Sequence, residues 1–442
     1  MKLTPLYYVY KALDGVYRKG AFSSIELNKY IGNARKEDKA LICRLFYGVL
    51  ERDIESDYLI NAYVVKVKPA VRTLLKIGIY EIKYMDIPDF AAVNECVKLA
   101  GDVGKPQIKG FVNAVLRRIS EALSSGSVKY PTDEFERMSI EYSFPLWAVK
   151  RLISEMGKEK AEAFMSYRPD FESVNIRVNT RRISVKDFEK LLSEKRVGFR
   201  KTPVEGVYRI SSDGLSFAER GYCSIMGMGS VLACRCVKLP EGASVFDACA
   251  APGGKSILAQ TRVSPQEHVS NEVNPKRLGI LRHNLLRCGF TNLYTQRLRP
   301  DQWAELAPGC FDLILADAPC SGQSLLAKGI PNPGCFNSSV TGGNAKRQRG
   351  ILLAALRCLA PGGFLLYTTC TYAPEENERN VLYLLKRHPD LHTVTVPELE
   401  HFRSSLTQEA CYRLMPFHGA GAGQIVDGLC EALADGAYGL CA

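Results

Sequence analysis

From residue 241 onward the sequence repeats one pattern: a short apolar run, a loop of small residues, and a stretch with helical periodicity. The apolar runs predict strands over Val245–Asp247, His268–Val273, Asn292–Gln296, Phe311–Ala316 and Phe364–Thr368. Helical patterns lie between them, notably over Pro275–Arg287 and Ala345–Leu359. This alternation predicts a mostly parallel sheet with helices on both faces, in which ligands bind beyond the carboxyl ends of the strands.

Three loops of small residues fall at that predicted edge. They read DACAAPGGKS (Asp247–Ser256), DAPCSG (Asp317–Gly322) and TTCT (Thr368–Thr371). Such loops let backbone amides approach a ligand, although a lone Gly-Gly pair more often makes an ordinary turn. Glu272 ends the second strand, where a carboxylate commonly accepts hydrogen bonds from a ribose. Alone, this pattern does not distinguish a nicotinamide cofactor from S-adenosylmethionine, but the shared edge favours a single site.

Cys320 and Cys370 each lie just beyond the end of an apolar strand. Either one alone is more simply interpreted as a buried filler, since the chain has fifteen cysteines. Together, with Asp317 and Pro319 beside one and a threonine run around the other, they indicate nucleophilic sulfur at a common cleft.

Residues 1–125 show helical periodicity throughout and predict an all-helical bundle. The strings KEDKALICRLFYGVLE, LLKIGIYEIKYMDIPDFAAVNECVKLA and GFVNAVLRRI resemble successive helices of a NusB-type RNA-binding domain. The resemblance implies that this domain meets RNA, with Arg117 and Arg118 as candidate contacts. The alternative is that these arginines only solvate a helix surface.

Composition fits a soluble chain of two or three domains, with 46% hydrophobic and 24% charged residues. The net charge of +11 is in keeping with a polyanionic partner. Scattered cysteines without a CxxC pair, and only six histidines, argue against a metal site. Neither a signal peptide nor an apolar run of membrane-spanning length is evident, so we expect a cytoplasmic protein without membrane contact, and a monomer.

The stretch from 126 to 240 starts with a small, polar, Pro-containing segment, which suits a linker, and then mixes helical and alternating patterns. Residues 174–180 alternate apolar and polar, so they predict a half-buried strand with Arg177 and Asn179 on its polar face. Arg177 is a candidate RNA-phosphate contact, on equal terms with a solvated strand residue.

The three loop motifs together resemble those of the RsmB/Sun family of RNA (cytosine-5) methyltransferases, and the NusB-like start resembles the RsmB arrangement. The resemblance implies that the stretch from 126 to 240 includes a small α/β RNA-binding module. It also implies a class I, Rossmann-like methyltransferase domain over 241–425, followed by a divergent, flexible tail over 426–442. It implies that Cys370 attacks the base, that Cys320 assists release, and that Asp317 lies between cofactor and base. S-adenosylmethionine would bind Glu272 and the loop residues Cys249, Ala250, Ala251, Pro252, Gly253, Gly254 and Lys255.

Sulfur suits the implied reaction because carbon 5 of cytosine is a poor nucleophile. A thiolate that adds at carbon 6 turns the ring into an enamine-like intermediate whose carbon 5 can accept a methyl group. The implied substrate is small-subunit (16S) ribosomal RNA. A transfer RNA substrate, or an RNA-binding factor with weakened catalysis, is the alternative.

Two departures from the family pattern bear on the site. Arg299 stands where relatives usually carry an acidic residue that contacts adenine, and Asp301 follows two positions later. The segment Gln323–Gly343 is rich in Gly, Asn and Ser where relatives carry a charged substrate loop. Lys328 is the candidate RNA contact that remains there, with a solvated lysine as the equal alternative.

Overall fold

The computed structural model describes residues 4–19, 23–35, 37–167, 173–235, 241–263, 267–291, 293–328, 334–415, 424–426 and 429–432. The chain divides after Ser166 into a helical unit and an α/β unit. No helix within these described ranges combines the length and apolar character needed to span a bilayer.

The helical unit is built from ten α-helices and a short 3-10 turn. They are α1 (Pro5–Lys19), α2 (Ser23–Ile31), α3 (Lys39–Glu51), α4 (Asp53–Tyr63), α5 (Pro69–Tyr84), α6 (Asp89–Asp102), the 3-10 turn Pro106–Ile108, α7 (Lys109–Ser124), α8 (Glu134–Tyr142), α9 (Leu146–Met156) and α10 (Lys158–Ser166). Pro69 occupies the first turn of α5, where its missing N–H costs nothing. Helices α8–α10 therefore belong to this unit, although the sequence places them in a module over 126–240.

Helix α5 carries two polar side chains into the core of the helical unit. Lys76 is 4% exposed, and its ammonium lies 2.9 Å from Oδ2 of Asp57. Glu81 is also buried, and the Cys96 thiol of α6 donates to its Oε2 at 3.6 Å. Burial raises the pKa of Glu81 to about 7. This carboxyl is therefore a pH-sensitive element of the helical core.

The α/β unit begins with a small antiparallel sheet whose strand order is β2-β3-β1-β4. Its elements are β1 (Ser173–Val178), α11 (Val185–Glu194), β2 (Phe199–Lys201), β3 (Val207–Ser211), the 3-10 turn Ser212–Gly214, α12 (Leu215–Glu219), β4 (Cys223–Ile225) and α13 (Met228–Arg235). Asn179 follows β1 and donates to the carbonyls of Gly221, at 2.9 Å, and Cys288, at 2.8 Å. This amide ties the small sheet to the larger one.

A mostly parallel sheet forms the second part of the α/β unit. Its elements are β5 (Val245–Asp247), α14 (Gly254–Val263), β6 (His268–Asn271), α15 (Pro275–Arg287), β7 (Tyr294–Gln296), α16 (Pro300–Leu306), β8 (Phe311–Asp317), the 3-10 turn Gln323–Lys328, α17 (Ser338–Cys358), β9 (Leu359–Thr369), the 3-10 turn Pro374–Glu376, α18 (Glu378–Arg387), β10 (Leu391–Val394), the 3-10 turn Pro397–Phe402, β11 (Tyr412–Leu414), β12 (Gln424–Val426) and β13 (Leu429–Ala432). The order β10-β13-β9-β8-β5-β6-β7 confirms the predicted doubly wound class.

The strand order reverses between β5 and β8, which pair in parallel. Ligands of such sheets bind at this switch point, beyond the carboxyl ends of the strands. Antiparallel strands close the opposite side, where β13 pairs with both β9 and β10. Residues 429–432, which the sequence leaves to a flexible tail, thus form a strand, and 433–442 lie outside the described residues.

Candidate active site

The two cysteines of the sequence motifs meet beyond the ends of β8 and β9. These strands are parallel neighbours, and Asp317 is in register with Thr368, so the loops that follow them emerge side by side. The Sγ atoms of Cys320 and Cys370 lie 3.0 Å apart. The backbone N–H of Cys370 also donates to Sγ of Cys320 at 3.3 Å. The two cysteines are fifty positions apart in the chain, and their meeting at one edge of the sheet is as the sequence predicts.

The surroundings of Cys320 favour its protonated form. The hydrogen bond to Cys370, followed by burial, holds the pKa of the Cys320 thiol well above its usual range. Burial therefore favours the protonated form of Cys320. Either sulfur can be the donor in the contact between them, and a donation from Cys320 to Cys370 is one of the two arrangements. A thiolate on Cys370 is stabilised by that donation, and the thiolate is the nucleophilic form of cysteine.

Asp317 ends β8 and links the cysteine loops to the glycine loop. Its Oδ2 lies 2.7 Å from the ammonium of Lys255, in the first turn of α14, and its Oδ1 accepts from the Thr368 hydroxyl at 3.0 Å. Burial by itself would lower the pKa of Lys255. The Asp317 carboxylate, together with other groups nearby, acts in the opposite direction, and the pKa of Lys255 is raised as a result. Lys255 is therefore a charged partner of Asp317, and its contact with the cofactor stays a prediction.

A cavity of about 550 Å³ opens at the carboxyl ends of β5, β6 and β7. It is lined by Ala248, Cys249, Asn271, Glu272, Val273, Arg277, Leu298, Pro300, Asp301, Trp303, Pro319, Arg347, Gly350, Ile351, Leu353, Ala354 and Arg357. The Glu272 carboxylate is 3% exposed, and it accepts from the backbone N–H of Asn274 at 2.8 Å. Pro319 carries the cavity wall to within one residue of Cys320. The cavity and the sulfur pair therefore lie at the same edge of the sheet.

A buried carboxylate and a glycine with positive φ mark β5 and the loop that follows it. Asp247 is 1% exposed, its Oδ2 accepts from the Ser256 hydroxyl at 2.6 Å, and its Oδ1 is buried without a partner among the described residues. Desolvation by burial raises the pKa of Asp247 to about 7. Gly253 has φ of +109°, and a Cβ there would lie 3.0 Å from Leu281. These residues fit S-adenosylmethionine, whose ammonium suits an unsatisfied carboxylate oxygen.

The position after β7 differs from the family pattern in a specific way. Arg299 is the N-cap residue of α16 and pairs with Asp301, whose Oδ2 lies 2.9 Å from Nη2. Asp301, and not Arg299, lines the cavity. An acidic side chain is thus present at the cavity wall two positions later than the sequence pattern places it.

The candidate RNA contacts have different surroundings. Arg117 and Arg118 are exposed on α7. Arg177 is only 8% exposed and donates to the Thr261 hydroxyl, so it does not lie on an exposed strand face as the alternation predicts. Asn179 is buried for the same reason, since its partner Cys288 follows α15 just as Thr261 lies in α14. The backbone of Lys328 ends a 3-10 turn, and its side chain lies outside the described residues.

Two buried groups behind the cysteines were not singled out from the sequence. Gln348 of α17 and Glu376 of the 3-10 turn after β9 are both 0% exposed, and they are bonded to each other. The string PEENE marks Glu376, but a buried polar residue on a helix such as α17 has no signature of its own. Within the described residues, no group of His, Cys, Asp and Glu is arranged to hold a metal ion.

Comparison with known proteins follows the same division of the chain. Residues 235–427 match the family described as 16S rRNA methyltransferase RsmB/F, and residues 5–121 match the NusB family. A probable ribosomal RNA small subunit methyltransferase B of Bacillus subtilis is 29% identical over 432 residues, which cover 94% of each chain. The ribosomal RNA small subunit methyltransferase B of Klebsiella pneumoniae is 30% identical over 408 residues, covering 88% of this chain and 91% of that protein.

The fold also has a solved counterpart. One crystal structure is similar over 97% of this chain and 99% of its own length, with a TM-score of 0.76 and 22% identity. At this identity the likeness concerns the fold alone. It extends over the helical and the α/β residues alike.

Proposed function

Because the chain belongs to the RsmB/Sun family of ribosomal RNA methyltransferases, we propose that it methylates carbon 5 of a cytosine in 16S ribosomal RNA. It is an enzyme of the class I methyltransferase fold with a NusB-like first domain. The observation that carries the proposal is the 3.0 Å approach of the Cys320 and Cys370 sulfurs beside Asp317. An rRNA substrate also supports a cytoplasmic site of action.

S-adenosylmethionine is the proposed cofactor, and when bound it supplies an electrophilic methyl group. The residues proposed to hold it are the glycine loop from Cys249 to Gly254, with Asp247 beneath the loop and Glu272 at the ribose end. The unpartnered Oδ1 of Asp247 and the cavity next to Pro319 support this assignment. Asp301 is proposed to face the adenine, since it lines the same cavity.

In the proposed reaction the Cys370 thiolate adds to carbon 6 of the cytosine, and the displaced electron pair makes carbon 5 nucleophilic. Asp317 lies where it can hold a proton near the ring nitrogen, with Lys255 fixing its orientation. Once carbon 5 carries the methyl group, the Cys320 thiol releases its proton to water, and the resulting thiolate takes the proton from carbon 5. Elimination then restores the Cys370 thiolate and frees the product. The target base must be unstacked for the sulfur to reach carbon 6.

The test uses methyl-labelled S-adenosylmethionine with separated 16S rRNA, 23S rRNA and tRNA. We expect label in 16S rRNA as 5-methylcytosine, no label with Cys370→Ala, and a covalent protein–RNA adduct that accumulates with Cys320→Ala. Cys310→Ala is the matched control, because this cysteine is exposed away from the site. Labelled tRNA instead of rRNA would overturn the substrate assignment, and an adduct with Cys370→Ala but none with Cys320→Ala would reverse the two roles.

A further inference from the structure

Two sulfurs that lie 3.0 Å apart raise the question of what makes only one of them the nucleophile. Both follow strand ends, and both are half-buried. The answer must come from groups that treat the two thiols differently. Glu376 is such a group, because its carboxylate is bonded to the loop that carries Cys320.

The carboxylate of Glu376 is hydrogen-bonded to the loop that carries Cys320. Its Oε2 accepts from the backbone N–H of Ser321 at 2.9 Å and from Nε2 of Gln348, also at 2.9 Å. The same Nε2 donates to the carbonyl of Pro319 at 3.0 Å. Cys320 is therefore held on both sides by one glutamate–glutamine pair.

The orientation of Gln348 is fixed in turn. Its Oε1 accepts from Nδ2 of Asn380 at 2.9 Å, and Oδ1 of Asn380 accepts from Arg349 at 2.8 Å. The amide of Gln348 can therefore present only its NH₂ group to Glu376 and Pro319. This leaves Glu376 as the acceptor of the set.

The second carboxylate oxygen of Glu376 does not help to hold the loop. Oε1 is buried and has no hydrogen-bond partner among the described residues. Leaving a buried acceptor unsatisfied costs about 1–3 kcal/mol, so this oxygen does not add to the stability of the loop. Burial raises the pKa of Glu376, while the bonds from Ser321 and Gln348 oppose that rise. When ionised, this carboxyl adds a negative charge to the hydrogen-bonded set that holds the Cys320 loop.

We propose that Glu376 assigns the roles of the two sulfurs, by holding Cys320 in place and putting a negative charge beside it, so that Cys370 supplies the attacking thiolate. Cys320 then stays a thiol during attack. After its proton has passed to water, the Cys320 thiolate is a stronger base for the proton on carbon 5. This deepens the proposed function and rests on it. Glu376 is a positioning residue and does not touch the base.

The other charged groups nearby are engaged elsewhere. Apart from Cys370, which contacts Cys320 itself, one such group is Glu375, the neighbour of Glu376 in the chain. Glu375 pairs with Arg379 at 3.2 Å. Lys255 is bonded to Asp317. Glu378 of α18 is paired with Arg413. Glu376 is therefore the carboxylate in direct contact with the Cys320 loop.

The test measures the acidity of Cys320 without requiring RNA or activity. In the Cys370→Ala protein, the rate of iodoacetamide alkylation of Cys320 is followed against pH by peptide-resolved mass spectrometry. Adding Glu376→Gln keeps the bonds from Ser321 and Gln348, because the amide oxygen accepts both, and removes only the charge. We expect the apparent pKa of Cys320 to fall by about one unit, which makes alkylation about tenfold faster below that pKa.

Two further variants separate charge from position. Glu376→Asp keeps the charge and is expected to leave the alkylation profile close to that of the parent. Glu375→Gln, the matched control in the same turn, is expected to shift it little. An unchanged profile with Glu376→Gln, or an equal shift with Glu375→Gln or Glu376→Asp, would overturn the proposal. Thermal unfolding of each variant reports any loss of fold, and failure of the methylation test would leave the alkylation result readable by itself.

Discussion

At the scale of single residues, the site depends on ionisable groups that are paired across strand ends. Lys255 and Asp317 come from α14 and β8, and their 2.7 Å contact lies between the cofactor cavity and the sulfur pair. The carboxylate is partly exposed, whereas the ammonium is 8% exposed. An ion pair in this position orients the carboxylate more than it stabilises the fold.

Replacing Asp317 tests this orientation. Asp317→Asn keeps the size of the side chain but cannot hold an acidic proton, so we expect single-turnover methylation to fall by about 10²–10³-fold, the usual cost of losing one preorganised polar group. Cofactor affinity measured by calorimetry should change much less. A loss confined to cofactor affinity, with the methylation rate intact at saturation, would contradict this role.

At the scale of elements, buried polar side chains connect segments that packing alone would not fix. Glu378 of α18 pairs with Arg413 of β11 through two bonds, of 2.6 and 2.7 Å, and Arg413 also donates to the carbonyl of Tyr372 at 3.0 Å. Arg413 is 8% exposed. One guanidinium thus anchors β11, α18 and the segment just after Cys370.

Breaking this pair leaves a buried charge uncompensated. We expect Arg413→Met to lower the free energy of unfolding of the α/β unit by about 3–5 kcal/mol. Urea unfolding followed by tryptophan fluorescence of Trp303 reports it, with Trp147→Phe as the background. The double variant Arg413→Met/Glu378→Met should recover part of the loss, and an effect below about 1 kcal/mol for the single variant would show that the pair is not needed.

Helix α5 provides a second element-scale test, through Glu81. Its pKa is about 7 in the folded protein and 4.5 as the ordinary value, so the folded state keeps a proton that the unfolded state loses. The stabilising contribution is complete below pH 4.5 and declines as pH rises to about 7. The total loss is on the order of 3 kcal/mol.

The replacement Glu81→Gln removes that loss and preserves an acceptor for the Cys96 thiol. We expect the variant to be more stable than the parent at pH 8 and to differ little from it near pH 4.5. Chemical denaturation at the two pH values measures the difference for the helical unit. Glu121→Gln, an exposed substitution on α7, is the control. Equal stability of Glu81→Gln and the parent at pH 8 would contradict the assignment.

At the scale of the whole molecule, the net charge of +11 acts on a polyanionic substrate through counterion release. Arg117 and Arg118 are exposed on the NusB-like domain. If both contact phosphates of single-stranded RNA, Arg117→Ser/Arg118→Ser should reduce the slope of log affinity against log salt by about 1.4. Filter binding over a range of salt concentrations measures this slope. A parallel line with an unchanged slope would remove both arginines from the interface.

The whole molecule also shows how far sequence reasoning reaches. Strand β5 and helix α15 have the bounds that the sequence predicts, because an apolar run and Asn274-Pro275 mark them clearly. Helix α17 starts seven residues before the predicted Ala345, since Asn337 caps a first stretch with two adjacent glycines that has weak helical propensity. The Glu376–Gln348 pair and the burial of Arg177 were beyond the sequence, because they depend on which elements pack against each other.

The strand order itself has a practical consequence. In the proposed reaction, the residues that bind the methyl donor follow β5, β6 and β7, on one side of the switch point. The residues that act on the target base follow β8 and β9, on the other side. Asp317 and Lys255 join the two halves. In the proposed reaction, we therefore expect substitutions after β8 and β9 to change the choice of nucleotide and to leave binding of the methyl donor intact.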